Sequence, residues 1–449
     1  MGLGRRLLRA RWITVAILGV GGCLCLTLNW PGHFSYDSVV QLAEGRSGSY
    51  SGDHPLVMSW LLGLADAARP GAALFVIFDV ALVWGTLIAL AMAAPGGRLA
   101  AAIAVCFAAT PQLMLYPAIV WKDVLFAGAM AGGFACLGWA ALRWERPAWR
   151  WALLAKGAVL LSLAALTRQN GAVVLPIAAV TLGWIAARRG GRRFAYGLGL
   201  LAATAVLTLA ADAALAARLD PDAGGGAAQQ WRMLQTWDLV GALKRHPRLP
   251  LPALDADPAF ETLLRTRAAA AWSPVRVDTL LTALGDESDA ENALIGPAWR
   301  QLILRHPLAY LEARASAFAW ITTTPDPNAC GVIFTGVDGP AEEMSETTLT
   351  PRRSPLDAAL ARYGLAFLGT PVISHLAWGA LALALLAWLA PRRQGADIAV
   401  AGMLAAALAF AASFAVISIS CDYRYLYALD LTAMGAALYA AGGARSIGT

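Results

Sequence analysis

Four short polar segments interrupt an otherwise apolar chain of 449 residues, and their side chains are of the kinds that handle phosphate and protons. The first reads Trp30-Pro31-Gly32-His33-Phe34-Ser35-Tyr36-Asp37-Ser38 and continues to Asp53-His54-Pro55. The second is Tyr116-Pro117 followed by Trp121-Lys122-Asp123, and the third is Arg168-Gln169-Asn170. The fourth is Cys421-Asp422-Tyr423-Arg424-Tyr425-Leu426-Tyr427. Arginine binds phosphate through its planar, bidentate fork and lysine as a point charge. Lys122, Arg168 and Arg424 are therefore the candidate phosphate ligands. Asp37 is the candidate catalytic base, because an aspartate at a water-filled membrane edge can take a proton. Its neighbours Phe34, Tyr36 and Val39 are expected to exclude water and raise its pKa. Asp53, His54, Asp123, Gln169, Asn170 and Tyr425 complete the candidate substrate-binding set. Each has an ordinary structural alternative: loops must be polar, basic residues snorkel, and Asp37 can cap a helix beginning near Ser38. The grouping argues for more. The chain holds three lysines, so Lys122 beside Asp123 is not a product of lysine-rich composition.

The elements that must position these residues are membrane spans. The chain is 58% hydrophobic and 14% charged, with a mean hydropathy of +0.57. Apolar runs lie near 12–29, 72–94, 99–117, 123–141, 152–166, 170–187, 194–216, 366–390, 397–419 and 424–441. At the usual ~20 residues per crossing these make about ten transmembrane helices in an all-α polytopic membrane protein. The run after Arg11 is too long for a signal-peptide core and lacks a small-x-small cleavage site, so it reads as an uncleaved first span. A cytoplasmic N-terminus places the arginines at 5, 6, 9, 11, 98, 143, 146, 150, 188, 189, 192, 193, 392, 393 and 445 on the cytoplasmic face, as the positive-inside rule requires. All four polar segments then fall on the opposite, external face. Asp79, Asp212 and Asp430 lie within apolar runs and are expected to be internal hydrogen-bond partners.

Three regions follow: an N-terminal transmembrane module, 1–216, with an acidic first external loop, 30–71; an external soluble domain, 217–365; and a C-terminal transmembrane module, 366–449. The middle region has 18 acidic and 14 basic residues, a net of −4, against a chain total of +6. Apolar residues at helical spacing, such as Met233, Trp237 and Val240, predict a mostly helical domain, and the Gly- and Ala-rich stretch 220–227 predicts a linker. Basic excess in such a chain anchors loops and does not point to nucleic acid. Cys23, Cys25, Cys106 and Cys136 lie in apolar runs; Cys330 and Cys421 lie in external segments, where a disulfide is geometrically conceivable. No metal-type Cys or His spacing occurs, and no metal ligand is assigned.

These segments resemble those of the GT-C superfamily of membrane glycosyltransferases, especially bacterial relatives of the protein mannosyltransferases and of the lipid A aminoarabinose transferase. Asp37, within Phe34-Ser35-Tyr36-Asp37-Ser38, occupies the place of that family's first-loop acid. Asp53-His54-Pro55-Leu56 resembles its step into the next membrane helix. Leu166-Thr167-Arg168-Gln169-Asn170-Gly171 is similar to its basic break between two short helices. Arg305-His306-Pro307-Leu308-Ala309-Tyr310 resembles its His-Pro-x-x-Tyr element, and Arg424-Tyr425 the pair that opens a late span. The resemblance implies a glycosyltransferase in a bacterial inner membrane that draws a sugar from a polyprenyl-phosphate carrier. The acceptor would be a glycan, lipid or protein, with membrane lipids as the remaining partners. The sequence departs from the family pattern in that Asp37 has no adjacent acid. No cofactor is assigned: a divalent metal would need Asp53 or Asp123 brought near to supply a second carboxylate. The alternative function is a flippase or transporter of a lipid-linked or anionic solute; that would need a site near the midplane, whereas these cations gather at one face.

Overall fold

The computed structural model describes residues 2–51, 54–219, 226–285, 288–392 and 394–443. The protein is all-α and polytopic. Among the described residues, eight helices are long and apolar enough to cross a membrane: Leu7–Leu28, Ala73–Ala93, Lys122–Leu142, Pro147–Thr167, Gly171–Arg188, Arg193–Ala216, His375–Arg392 and Gly395–Ile417. A further apolar pair is bent: Arg98–Ala108 and Pro111–Ala118 meet at 73°, the geometry of a broken span or a re-entrant loop. Proline explains the break, since Pro111 opens the second piece and a pre-proline residue avoids helical geometry; Thr110 is extended. The tenth apolar run is a 17-residue helix, Tyr427–Gly443, preceded by the tight turn Tyr423–Leu426. It is buried almost throughout, which suits a run that carries few bulky apolar side chains for lipid to solvate.

The Lys122–Leu142 helix is the axis of the bundle, with 94% of its most apolar window buried. Its sequence explains that place. Gly128, Gly132 and Gly133 alternate with alanines, so neighbouring backbones approach closely. A Cβ on Gly133 would sit 2.7 Å from Leu161, and one on Gly128 3.0 Å from Leu82. Helices alternate in direction around this axis. Lys122–Leu142 begins, and Pro147–Thr167 ends, at one end of the bundle, called here the site end.

The segment between the first two spans is a helical hairpin, Tyr36–Ser47 and Leu56–Ala68. The second helix has 13 residues, too few to cross, so the step expected at His54-Pro55-Leu56 leads into a short helix and the next span begins at Ala73. The two helices cross at glycines: a Cβ on Gly45 would lie 2.8 Å from Gly63 N. Glu44 accepts hydrogen bonds from Ser51 N–H and from the Ser51 and Ser59 hydroxyls, at 3.1, 2.6 and 2.6 Å. Arg46 binds Asp66 through both arms of its fork, at 2.7 and 2.8 Å.

The hydrophilic region has its own core, built around Trp237, Phe260, Trp272, Ile295 and Leu302. Val332, Val337, Met344 and Leu360 instead join the core of the membrane bundle. A buried pair, Arg314 to Asp238 at 2.5 Å, sits between the hydrophilic core and the bundle, and Arg314 also donates to Ser418 O at 2.9 Å. The Ala227–Arg245 helix begins where a linker was expected to end, and residues 220–225 of that stretch lie outside the described residues.

Candidate functional site

Asp37 sits in the first turn of Tyr36–Ser47, but it does not cap the helix. Ser35 holds the cap position: the Ser38 hydroxyl accepts from Ser35 N–H at 3.0 Å, and the two hydroxyls lie 3.0 Å apart. Trp121 Nε1 donates to the Ser35 hydroxyl at 2.8 Å, which ties the cap to the start of the Lys122 helix. The loop before the cap is clamped as well. His33 N–H donates to Ala118 O, and Val120 N–H donates back to His33 O, both at 3.0 Å. Burial first, and then Arg352, hold the His33 imidazole down to about 4 against the opposing pull of Asp357, so the ring is neutral. Its Nδ1 accepts from Gly336 N–H at 2.8 Å, and its Nε2 faces Asn29 Oδ1 at 2.9 Å.

With the cap filled, the Asp37 carboxylate is left to meet Arg424, whose NH2 donates to Asp37 Oδ2 at 2.5 Å. The same nitrogen lies 3.0 Å from Asp422 Oδ2, and Arg424 Nε is 3.8 Å from Asp123 Oδ2. Asp123 is 2% exposed and accepts from Arg168 NH1 at 2.6 Å. The Arg168 guanidinium lies over Tyr425, 4.7 Å from the ring centre, and Arg424 lies over Trp121 at 5.2 Å. Lys122 Nζ stands 3.4 Å from His54 Nδ1. Among the described residues this is its one hydrogen-bond partner, and it has no ion pair there. An ammonium carries three N–H groups, so two of its donors remain for a ligand.

The structure thus brings together Asp37, His54, Lys122, Asp123, Arg168, Arg424 and Tyr425 at the site end. It does not bring Gln169 and Asn170 into the cluster. Gln169 is exposed and donates to Gln230, whereas Asn170 donates to Ser413 at 2.7 Å. Asp53 lies outside the described residues. Two members were not read from the sequence. Asp422 was visible only as a neighbour two positions before Arg424. Trp121 adjoins Lys122, and nothing local marks its ring as the platform for Arg424.

Arg424 is held from behind by a buried network. His375 Nδ1 meets Asp430 Oδ1 at 2.8 Å, and His375 Nε2 meets Tyr423 O at 3.0 Å. The Tyr423 hydroxyl donates to Asp430 Oδ2 at 2.7 Å. A disulfide between Cys330 and Cys421, Cα atoms 5.0 Å apart, fixes the chain just before Asp422. Asp430 thus has the internal partners expected of it. Asp79, 1% exposed, has no hydrogen-bond partner among the described residues, and Asp212 is exposed.

The electrostatics correct one expectation. Burial does push the Asp37 pKa up, but Arg424, then Lys122 and His54, outweigh it and hold the carboxyl well below the usual carboxylate range. Phe34 and Val39 are buried, yet Tyr36 is 63% exposed and shields little. His54 is pushed down to about 3 by burial and by Lys122, so it faces the ammonium as a neutral acceptor. Asp37, Asp123 and Asp422 balance Lys122, Arg168 and Arg424 in formal charge. Among the described residues no group of three or more His, Cys, Asp or Glu side chains is arranged to hold a metal ion.

Comparison with protein-family models finds no match, and neither does comparison with curated proteins. Three solved structures match, all of an oligosaccharyltransferase from Archaeoglobus fulgidus. One is AglB in complex with an inhibitory peptide and a dolichol-phosphate, at 14% identity and a TM-score of 0.40, covering 95% of this chain and 50% of that one. Another is tethered to an acceptor peptide, at 13% identity and a TM-score of 0.41, with 95% and 49% covered. The chain therefore spans about half the length of the structures it matches.

Proposed function

We propose that the protein is a glycosyltransferase that moves a sugar from a polyprenyl-phosphate carrier to an acceptor at the site end. One observation carries the reading: three cations and three carboxylates from four separate chain segments converge where apolar helices end. A phosphate on an isoprenoid tail needs that combination, a groove in lipid and charge at its mouth. The acceptor oxygen bonds to the anomeric carbon as the carbon–phosphate oxygen bond breaks. The electron pair leaves with the phosphate, which Lys122, Arg168 and Arg424 stabilise.

The acceptor proton passes to Asp37. Because Asp37 is held ionised and weakly basic, that transfer is downhill only once the new bond has largely formed and the acceptor oxygen has become strongly acidic. Asp37 then orients the acceptor early and takes its proton late. His54 and Asp123 are assigned to hold Lys122 and Arg168 in place, and Tyr425 to stack on Arg168. The cluster is assigned to the external face of a bacterial inner membrane, with the N-terminus in the cytoplasm.

The test uses purified protein in lipid bilayers and a panel of synthetic polyprenyl-phosphate sugars. Transfer or hydrolysis of at least one member is expected. Lys122→Met should lower turnover on that donor by roughly 10²-fold, the cost of a charge that stabilises a departing phosphate. No release of sugar from any member by the native protein, with flux of the intact carrier across the bilayer instead, would establish the transporter.

A further inference from the structure

The end of the bundle opposite the site has two adjoining cavities, of about 300 and 520 Å³, that share Ala93, Pro95 and Leu142 as walls. Arg11 and Arg143 line the smaller, and Arg188 and Arg189 the larger. These arginines come from three helices: Arg11 lies within Gly2–Leu28, Arg143 follows the end of Lys122–Leu142, and Arg188 ends Gly171–Arg188 with Arg189 next after it; none of the four has an ion pair among the described residues. Arg11 Nε is buried without a hydrogen-bond partner among those residues. The larger cavity also holds Asp397, but that acid is already engaged: Arg392 Nε lies 3.1 Å from it and the Tyr439 hydroxyl donates to it at 2.7 Å. Trp139 stands at the smaller cavity and Trp388 at the larger.

We infer that these cavities form a binding site for an anionic phospholipid, with the phosphate among the arginines and the acyl chains along the apolar walls. The positive-inside rule asks only that arginines lie in loops on one side. It does not ask that they line a concavity, nor that a guanidinium nitrogen be buried with nothing to bind. A phosphate supplies the missing acceptors and the missing negative charge. The walls favour a lipid over a free anion: Met92, Ala93 and Leu142 are apolar, and tryptophan marks the depth at which headgroups lie. The site is remote from the Asp37 cluster, so it stands or falls independently of the proposed function.

The experiment measures the melting midpoint of delipidated protein in detergent against added phosphatidylglycerol, phosphatidylcholine of the same chains, and inorganic phosphate. Phosphatidylglycerol should raise the midpoint and phosphatidylcholine should not. R188Q/R189Q should weaken the effect roughly tenfold or more in apparent affinity, at about one headgroup attraction per arginine removed. Both side chains are exposed, so the lipid-free midpoint should not move. If that variant fails to fold, R143Q, also exposed, takes its place, with a weakening of roughly fivefold for the one arginine removed. Equal shifts by the two lipids, or an undiminished shift in the arginine variants, would overturn the inference. So would a full shift by inorganic phosphate at the same concentration, which would make the ligand a soluble anion.

Discussion

At the scale of the residue, the decisive pairing is Asp37 with Arg424. Asn at position 37 cannot accept the acceptor's proton and gives Arg424 no counter-charge. Asp37→Asn should therefore fold, because Ser35 and not Asp37 caps the helix, yet lose turnover on the order of 10²-fold or more. Near-normal transfer by that variant would remove Asp37 from the mechanism and leave Asp123 as the next acid to test. The pH profile carries a second expectation. The folded pKa of Asp37 is depressed, so its ion pair stays intact as pH falls through the usual carboxylate range near about 4 and is lost only as pH falls through that depressed value. His54, at about 3, is neutral over the same range. Turnover measured from pH 8 down to about 5 should show no acidic limb from either group; a limb near the ordinary histidine value of about 6.5 would contradict a neutral His54. The types of residue in the site were legible in the sequence because charges at span ends are costly and stand out. Their partners were not. Whether Asp37 is raised or lowered depends on Arg424, 387 positions away, and no local pattern reports that distance.

At the scale of the element, the short helical hairpin 36–68 presents Asp37 and leads into His54. Its crossing rests on two glycines with no room for a side chain. Gly63→Leu should force the helices apart at a cost of about 1–3 kcal/mol or more, the usual range for overpacking. In membranes, where the rest of the bundle holds the fold, the expected readout is a protein that inserts and expresses but loses donor turnover. Full activity in Gly63→Leu would show that the hairpin does not position the acid. The sequence marked 30–71 as one acidic loop, and periodicity could not reveal the hairpin. The glycines that make its contact are as common in turns as in crossings, and the 13-residue second helix lies below the length that hydropathy separates from a buried core helix. The long spans were legible for the opposite reason: eight of them carry uninterrupted apolar runs. The bent pair at Pro111 and the buried Tyr427–Gly443 helix were read as ordinary spans because hydropathy records apolarity and not shape.

At the scale of the whole molecule, the arginines and the charge cluster occupy opposite ends of the bundle, which makes orientation testable in intact cells. Ala256→Cys, exposed in the hydrophilic region, should react with an impermeant thiol reagent added outside, and Glu145→Cys, exposed at the arginine-rich end, should not. The reverse pattern would place the cluster in the cytoplasm. The Cys330–Cys421 bridge has a further consequence for the assembly. It closes a ring over a sequence separation of 91 residues, and that ring passes down the His375–Leu389 helix and back up the Gly395–Ile417 helix. Two membrane helices are thereby looped through a covalent staple whose clasp sits one residue before Asp422. A chain severed between the exposed residues Ser345 and Glu346 would keep both fragments joined, and the arginine at position 424 would stay moored even with its polypeptide connection to the hydrophilic region cut.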